Sequence, residues 1–237
     1  MKLCPLDSSL TTSIRSFVRR HKLESYTSML QADVKKTGLI VLGNGNPEDY
    51  VTAIIAHHLN GSKCVAFIVK PTYTKEASVN ALPEYVSYIR GLSEPANIIF
   101  LIDQDDKPVQ DVVKSFVEKL REKTSIKKQK IGDRVAHFEC EYAGKKLMVK
   151  LVVNGMESVD YVKHTIEDYL LEAAIKTSFK EDVENCLKRC GKDPKTTWRC
   201  LGKDKQNTVY EKLVKNLEFT GQVFKELFNE LKLLAES

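Results

Sequence analysis

The sequence predicts an α/β protein: a mostly parallel sheet with helices on both faces, an added antiparallel hairpin and a helical C-terminal region. Three observations carry this. Continuous apolar runs recur at residues 39–42, 64–69 and 98–102, as expected of strands buried on both faces. Amphipathic helical stripes lie between and after them, which is the alternation that builds a parallel sheet. Residues 137–141 and 147–153 then flank a short Gly-containing stretch, which reads as a hairpin.

Along the chain, Ile14, Phe17 and Val18, then Tyr26, Met29 and Leu30, recur at helical spacing and predict a helix over 11–30. The run 39–42 ends in a turn, Gly43-Asn44-Gly45-Asn46-Pro47. Val51, Ile54, Ile55 and Leu59 form the face of the next helix. After the run 64–69, Tyr85, Val86, Tyr88 and Ile89 predict another, with Pro83 in its first turn or just ahead. The run 98–102 stops at Asp103. Val112, Val113, Phe116, Val117 and Leu120 make the stripe of a helix over 109–120. Beyond the hairpin, Val162, Ile166, Tyr169, Leu170 and Ala173 form one more apolar stripe. Residues 188–205 are polar and basic, with Gly191, Pro194 and Gly202, and read as a loop. A last helix is expected over 208–236, interrupted or kinked at Gly221. Its seam (Tyr210, Leu213, Leu217, Thr220, Phe224, Leu227, Leu231, Leu234) is heptad-like, which fits packing on its own domain or a homo-oligomer. The chain thus divides into a helical segment 1–36, an α/β core 37–155 and a helical region 156–237.

Composition bounds the function. The 237 residues are 42% hydrophobic, enough for a sizeable core. A net charge of +5 falls short of a dedicated nucleic-acid binder. No apolar stretch spans a bilayer, and residues 1–7 lack the features of a signal peptide, so the expected location is cytoplasmic with no membrane partner. In that compartment the six cysteines should be mostly free thiols. Cys186, Cys190 and Cys200 lack the fourth ligand and the spacing of a zinc site.

Three constellations can carry chemistry. Asp103, Asp105 and Asp106 follow a buried strand, where open α/β sheets place ligands. Their hard oxygens favour Mg²⁺ or Mn²⁺, although Asp105 or Asp106 could instead cap the next helix. Residues 43–49 put glycines between a strand and a helix, a setting for anion binding. The plainer reading makes Asn46 the N-cap and Pro47 the first helical residue, and leaves Asn44 and Glu48 as candidates beside the Asp103 strand. Glu167 and Asp168 fall off their helix's stripe. They read as a solvated face, or as a second acidic site. Elsewhere, His58 lies on an apolar face as a satisfied core histidine, and His57 lies off it. Lys195, Trp198 and Arg199 make a basic loop with one aromatic, which suits base stacking and phosphate contact or plain surface.

Taken together these residues resemble a Toprim domain, the fold of topoisomerases, bacterial primases and overcoming-lysogenization-type nucleases. That family has a strand ending in Glu-Gly, a following acidic residue, and a later strand ending in Asp-x-Asp. Here the run 39–42 leads to Asn44-Gly45 with Glu48 beyond, and the run 98–102 leads to Asp103-Gln104-Asp105. Residues 164–171 resemble a Leu-Glu-Asp segment of small prokaryotic Toprim-like proteins. The resemblance spans roughly residues 37–171 and rests on short motifs. It implies that Asp103 and Asp105 hold Mg²⁺ and that a glutamate serves as general acid or base in phosphodiester chemistry, with nucleic acid or a nucleotide as partner. Asn44 stands where the family keeps its glutamate, and an amide cannot accept that proton. Either Glu48 substitutes, or the chain is a binding or regulatory module without turnover.

Overall fold

A computed structural model describes residues 1–28, 35–43, 47–61, 64–70 and 78–237. Asn44 and Asn46 lie outside the described residues, as do Met29 and Leu30 at the end of the first expected helix. Seven strands form one sheet: β1 (Lys2–Pro5), β2 (Lys35–Val41), β3 (Cys64–Val69), β4 (Ala96–Asp103), β5 (Ser125–Ile131), β6 (Val135–Tyr142) and β7 (Lys145–Asn154). Their order is β1-β3-β2-β4-β7-β6-β5. Only the pairings of β6 with β5 and β7 are antiparallel; the others are parallel. The three apolar runs are β2, β3 and β4. β4 sits centrally, with Ile98, Ile99, Phe100 and Leu101 buried on both faces. The hairpin is closed by Ala143 and Gly144, both at positive φ (51° and 77°), which matches the strand twist as a two-residue turn.

Two strands were not legible as strands. β1 pairs with β3 through only four residues, ahead of the first helix. β5, Ser-Ile-Lys-Lys-Gln-Lys-Ile, is a polar edge strand whose lysines discourage further pairing.

One face of the sheet carries α1 (Ser8–His21), α2 (Glu48–His58) and the C-terminal helices. These are α5 (Ile166–Ala174), α6 (Lys180–Cys190), α7 (Pro194–Cys200), α8 (Lys203–Lys215), α9 (Leu217–Val223) and α10 (Lys225–Glu236). The other face carries a 3-10 turn (Ser78–Tyr85), α3 (Val86–Arg90) and α4 (Val109–Lys123). α1 ends earlier than expected, at Lys22 in the left-handed region (φ 54°), and Tyr26 instead bridges to Leu3. The expected loop over 188–205 contains α7: Asp193 caps it by accepting from the Thr196 N–H (2.7 Å), and Pro194 starts it. The expected last helix is three. Asn216 caps α9 by accepting from the Phe219 N–H (2.9 Å), and the second break is at Phe224, while Gly221 lies inside α9. The heptad-like seam packs within the chain, against α1, α2 and α5, except for exposed Leu217. At its end, the Glu230 carboxylate pairs with Lys150 of β7 (3.1 Å) and His137 of β6 (2.9 Å), pinning α10 to the sheet.

The free-thiol expectation fails at one pair. Cys186 of α6 and Cys200 of α7 form a disulfide, with Cα atoms 5.8 Å apart, because the two helices pack against each other. Cys4, Cys140 and Cys190 remain thiols. No described helix is long and apolar enough to cross a membrane.

Candidate functional site

The site lies where the strand order reverses. From β2 the chain passes through α2 to β3 on one side, whereas β4 pairs on the other and continues into α4 on the opposite face, so the connections leaving β2 and β4 part at their carboxyl ends, where open α/β sheets have a crevice. Four elements point ionisable side chains into it. α2 gives Glu48 at its first residue, β4 gives Asp103 at its last, α5 gives Glu167 in its first turn, and α7 gives Lys195.

Asp103 is the best-connected. Its Oδ1 accepts from the Ile166 backbone N–H at the start of α5 (3.2 Å) and, more loosely, from the Asn154 amide (3.5 Å). Its Oδ2 pairs with the Lys195 ammonium (3.0 Å). Burial raises the Asp103 pKa, and Lys195 opposes that rise. Burial pulls Lys195 down, but Asp103 outweighs it and Lys195 ends raised.

Glu48 is 1% exposed, and neither of its carboxylate oxygens has a hydrogen-bond partner among the described residues. Burial, then the nearby Asp103 charge, push its pKa up to about 8. Gly43 makes room for it: a Cβ there would lie 2.9 Å from Glu48 Oε1. Glu167 is 3% exposed, its Oε2 lacks a partner, and burial with the Asp103 charge pushes its pKa up to about 7. A buried carboxylate without partners is costly when ionised. These two acids therefore either keep their protons or await a positive group.

The remaining candidates divide. Asp105 and Asp106 are exposed. Asp105, at positive φ (57°), exchanges two backbone hydrogen bonds with His164 (2.9 and 2.8 Å), and its charge still raises the Asp103 pKa. Neither caps α4, whose cap position is Pro108 with no side-chain bond. The cap of α2 is likewise Pro47, one residue later than expected.

Glu167 and Asp168 are not on a solvated face. α5 is enclosed by the sheet and by α7, α8 and α9, so its polar side faces the crevice. Glu167 joins the Asp103 site rather than forming a second one. Asp168 is structural: it accepts from the Met156 N–H (2.9 Å), the Thr165 N–H (3.2 Å) and His164 Nδ1 (3.1 Å). His58 is satisfied by the Leu213 carbonyl (2.9 Å), as expected. Trp198 is 5% exposed and packs edge-on against Tyr210, so it is no open stacking platform, whereas Arg199 is exposed.

Sequence reasoning missed the pairing of Lys195 with Asp103. It also missed Gln104, which is buried, accepts from Arg134 (2.8 Å) and donates to the Lys107 carbonyl (2.9 Å), anchoring the exit of β4. The Asp193-Pro194 pair was the signal for α7 and hence for Lys195.

For a divalent cation, the donor chemistry fits: hard carboxylate oxygens, three of them buried without partners. In this arrangement, no three His, Cys, Asp or Glu side chains among the described residues are grouped so as to hold one ion, and Lys195 supplies the positive charge at Asp103. A cleft of about 370 Å³ borders Glu167, lined also by Phe17, Tyr50, Trp198, Arg199 and Tyr210. A groove of about 490 Å³ between α4 and β5 holds none of these acids. Comparison with protein-family models, with curated proteins and with solved structures returned no match.

Proposed function

We propose that this chain acts on phosphodiester or nucleotide-phosphate bonds with the help of Mg²⁺ or Mn²⁺, as its resemblance to Toprim domains implies, with Asp103 as the cation ligand and Glu48 and Glu167 as the acids gathered beside it. The observation that carries the proposal is the convergence of Glu48, Asp103 and Glu167, all largely buried, with Lys195 at the strand-order reversal, three of the carboxylate oxygens having no hydrogen-bond partner among the described residues. Such clustered, perturbed acids in a crevice are the usual mark of a site rather than of a core. A bound cation would neutralise phosphate oxygens and acidify a water.

The chain's own residues do the rest. Lys195 opposes the burial-driven rise of the Asp103 pKa and offers a positive charge to a phosphate. Glu48, with its pKa near 8, holds a proton at neutral pH and can give it up or take it back during a reaction. That role falls to Glu48 because Asn44, at the family's glutamate position, has an amide that cannot take a proton.

One observation favours a second reading, a binding module without turnover: Lys195 already balances Asp103, leaving the site neutral when Glu48 and Glu167 are protonated. Mn²⁺ titration followed by electron paramagnetic resonance tests the cation site. Binding in the wild type that is lost in Asp103→Asn supports it, and equal binding in the two proteins sinks it. Turnover of bis(p-nitrophenyl) phosphate by the wild type, abolished in Glu48→Gln, separates the enzyme from the module.

A further inference from the structure

The cleft beside Glu167 is built by four elements. Phe17 of α1 and Tyr50 of α2 stack face to face (centroids 4.1 Å apart, 6° between planes). Tyr210 of α8 meets both edge-on, at 5.2 and 5.9 Å, and Trp198 of α7 meets Tyr210 edge-on at 5.7 Å. Tyr50 is the half-buried member of this group and forms part of the cleft lining. Around the mouth stand Arg20, Arg199 and Lys203, all exposed, and none of them makes an ion pair with another described residue. Asn207 also lines the cleft and makes no side-chain hydrogen bond among the described residues. The floor is Glu167, one of the acids of the site above.

Three unpaired cations over an aromatic wall, in a space within the usual range for small-molecule sites, have a definite chemical complement: a planar ring carrying phosphate. We infer that this cleft binds a nucleotide, either a free nucleoside monophosphate or the end of a single strand. Its phosphate lies among Arg20, Arg199 and Lys203, its ring against the Tyr50 wall, and Asn207 supplies a hydrogen bond. Guanidinium groups suit this task because their forked donors match phosphate oxygens. This deepens the phosphodiester reading and rests on it for the reaction, though not for the binding.

Trp198 is the one tryptophan in the chain, so its fluorescence reports on this cleft without a label. The intact protein, in EDTA, is titrated with inorganic phosphate, a nucleoside 5′-monophosphate and a short single-stranded oligodeoxythymidylate, by fluorescence and in parallel by calorimetry. The nucleotide should bind roughly tenfold or more tightly than phosphate, the difference expected for one stacked base. Arg199→Glu and Lys203→Glu, both at exposed positions, should each weaken it by roughly tenfold, the loss of one charge-assisted contact. Tighter binding of the oligonucleotide, falling steeply with salt, assigns the strand end as the source; equal binding of the two, with little salt dependence, assigns the mononucleotide. No calorimetric binding of either, or unchanged affinity in both charge-reversed variants, overturns the inference. Nucleotide binding in a wild type that binds no Mn²⁺ keeps the cleft and discards the cation reading.

Discussion

Replacing Glu48 with glutamine removes one ionisable group while keeping its shape, and the structure fixes how stability should respond. Folded Glu48 holds its proton up to about pH 8, against an ordinary value of 4.5. Folding therefore takes up a proton, and the stabilisation this brings is complete below pH 4.5 and lost as pH rises through 8. At about 1.4 kcal/mol per pKa unit, the wild type should lose about 4 kcal/mol relative to Glu48→Gln between pH 5 and pH 9. Burying the glutamine amide adds an offset, but that offset does not vary with pH. Urea denaturation of both proteins at pH 5, 7 and 9, in EDTA, measures the difference. Two stability curves that stay parallel from pH 5 to pH 9 would refute the argument that Glu48 is buried without a partner.

Other variants test neighbouring contacts. Lys195→Met leaves Asp103 with only the Ile166 N–H and a long amide contact; urea denaturation at pH 7 should show a loss of roughly 2 kcal/mol, moderated because Lys195 is one-third exposed. An unchanged midpoint there would mean that the pair is not formed in solution. Gly43→Ala places a methyl 2.9 Å from Glu48 Oε1, so Mn²⁺ affinity should fall more than thermal stability does; the opposite order would make Gly43 merely structural. Cys200→Ser opens a cross-link spanning 14 residues, and the melting transition measured without reductant should lose about 3 kcal/mol. Titrated under denaturing conditions, the variant should show one thiol more than the wild type; one thiol fewer would show that the cross-link does not form.

Much of this was written in local sequence. The three central strands were legible because burial on both faces demands unbroken apolar runs, which few other structures need. The hairpin was legible because residues 143–144 sit between two paired apolar segments. β5 was not, because an edge strand with lysines looks like any polar connection. At the site, Asp103 was marked by its place after a strand. Glu167 was misread because its burial comes from α7, α8 and α9, which lie far along the chain and leave no trace in the periodicity of α5. The expected aspartate triplet separated for a backbone reason: Asp105 takes up positive φ and pairs with His164, so the residues after Asp103 leave the crevice. The disulfide depends on how two helices meet, and the expectation of a reducing compartment argued against it.

The division of the site between strands and late helices bears on the order of synthesis. Glu48 and Asp103 leave the ribosome well before Glu167 and Lys195. A nascent chain that has formed β2, α2 and β4 holds two of the acids with neither the covering helix α5 nor the compensating ammonium. Water can still reach those carboxylates, and they should titrate near their ordinary values. The shift to basic pKa is thus a property acquired only when α5 and α7 dock. A ribosome-bound chain stalled before residue 166 should be unable to hold the proton on Glu48 at neutral pH.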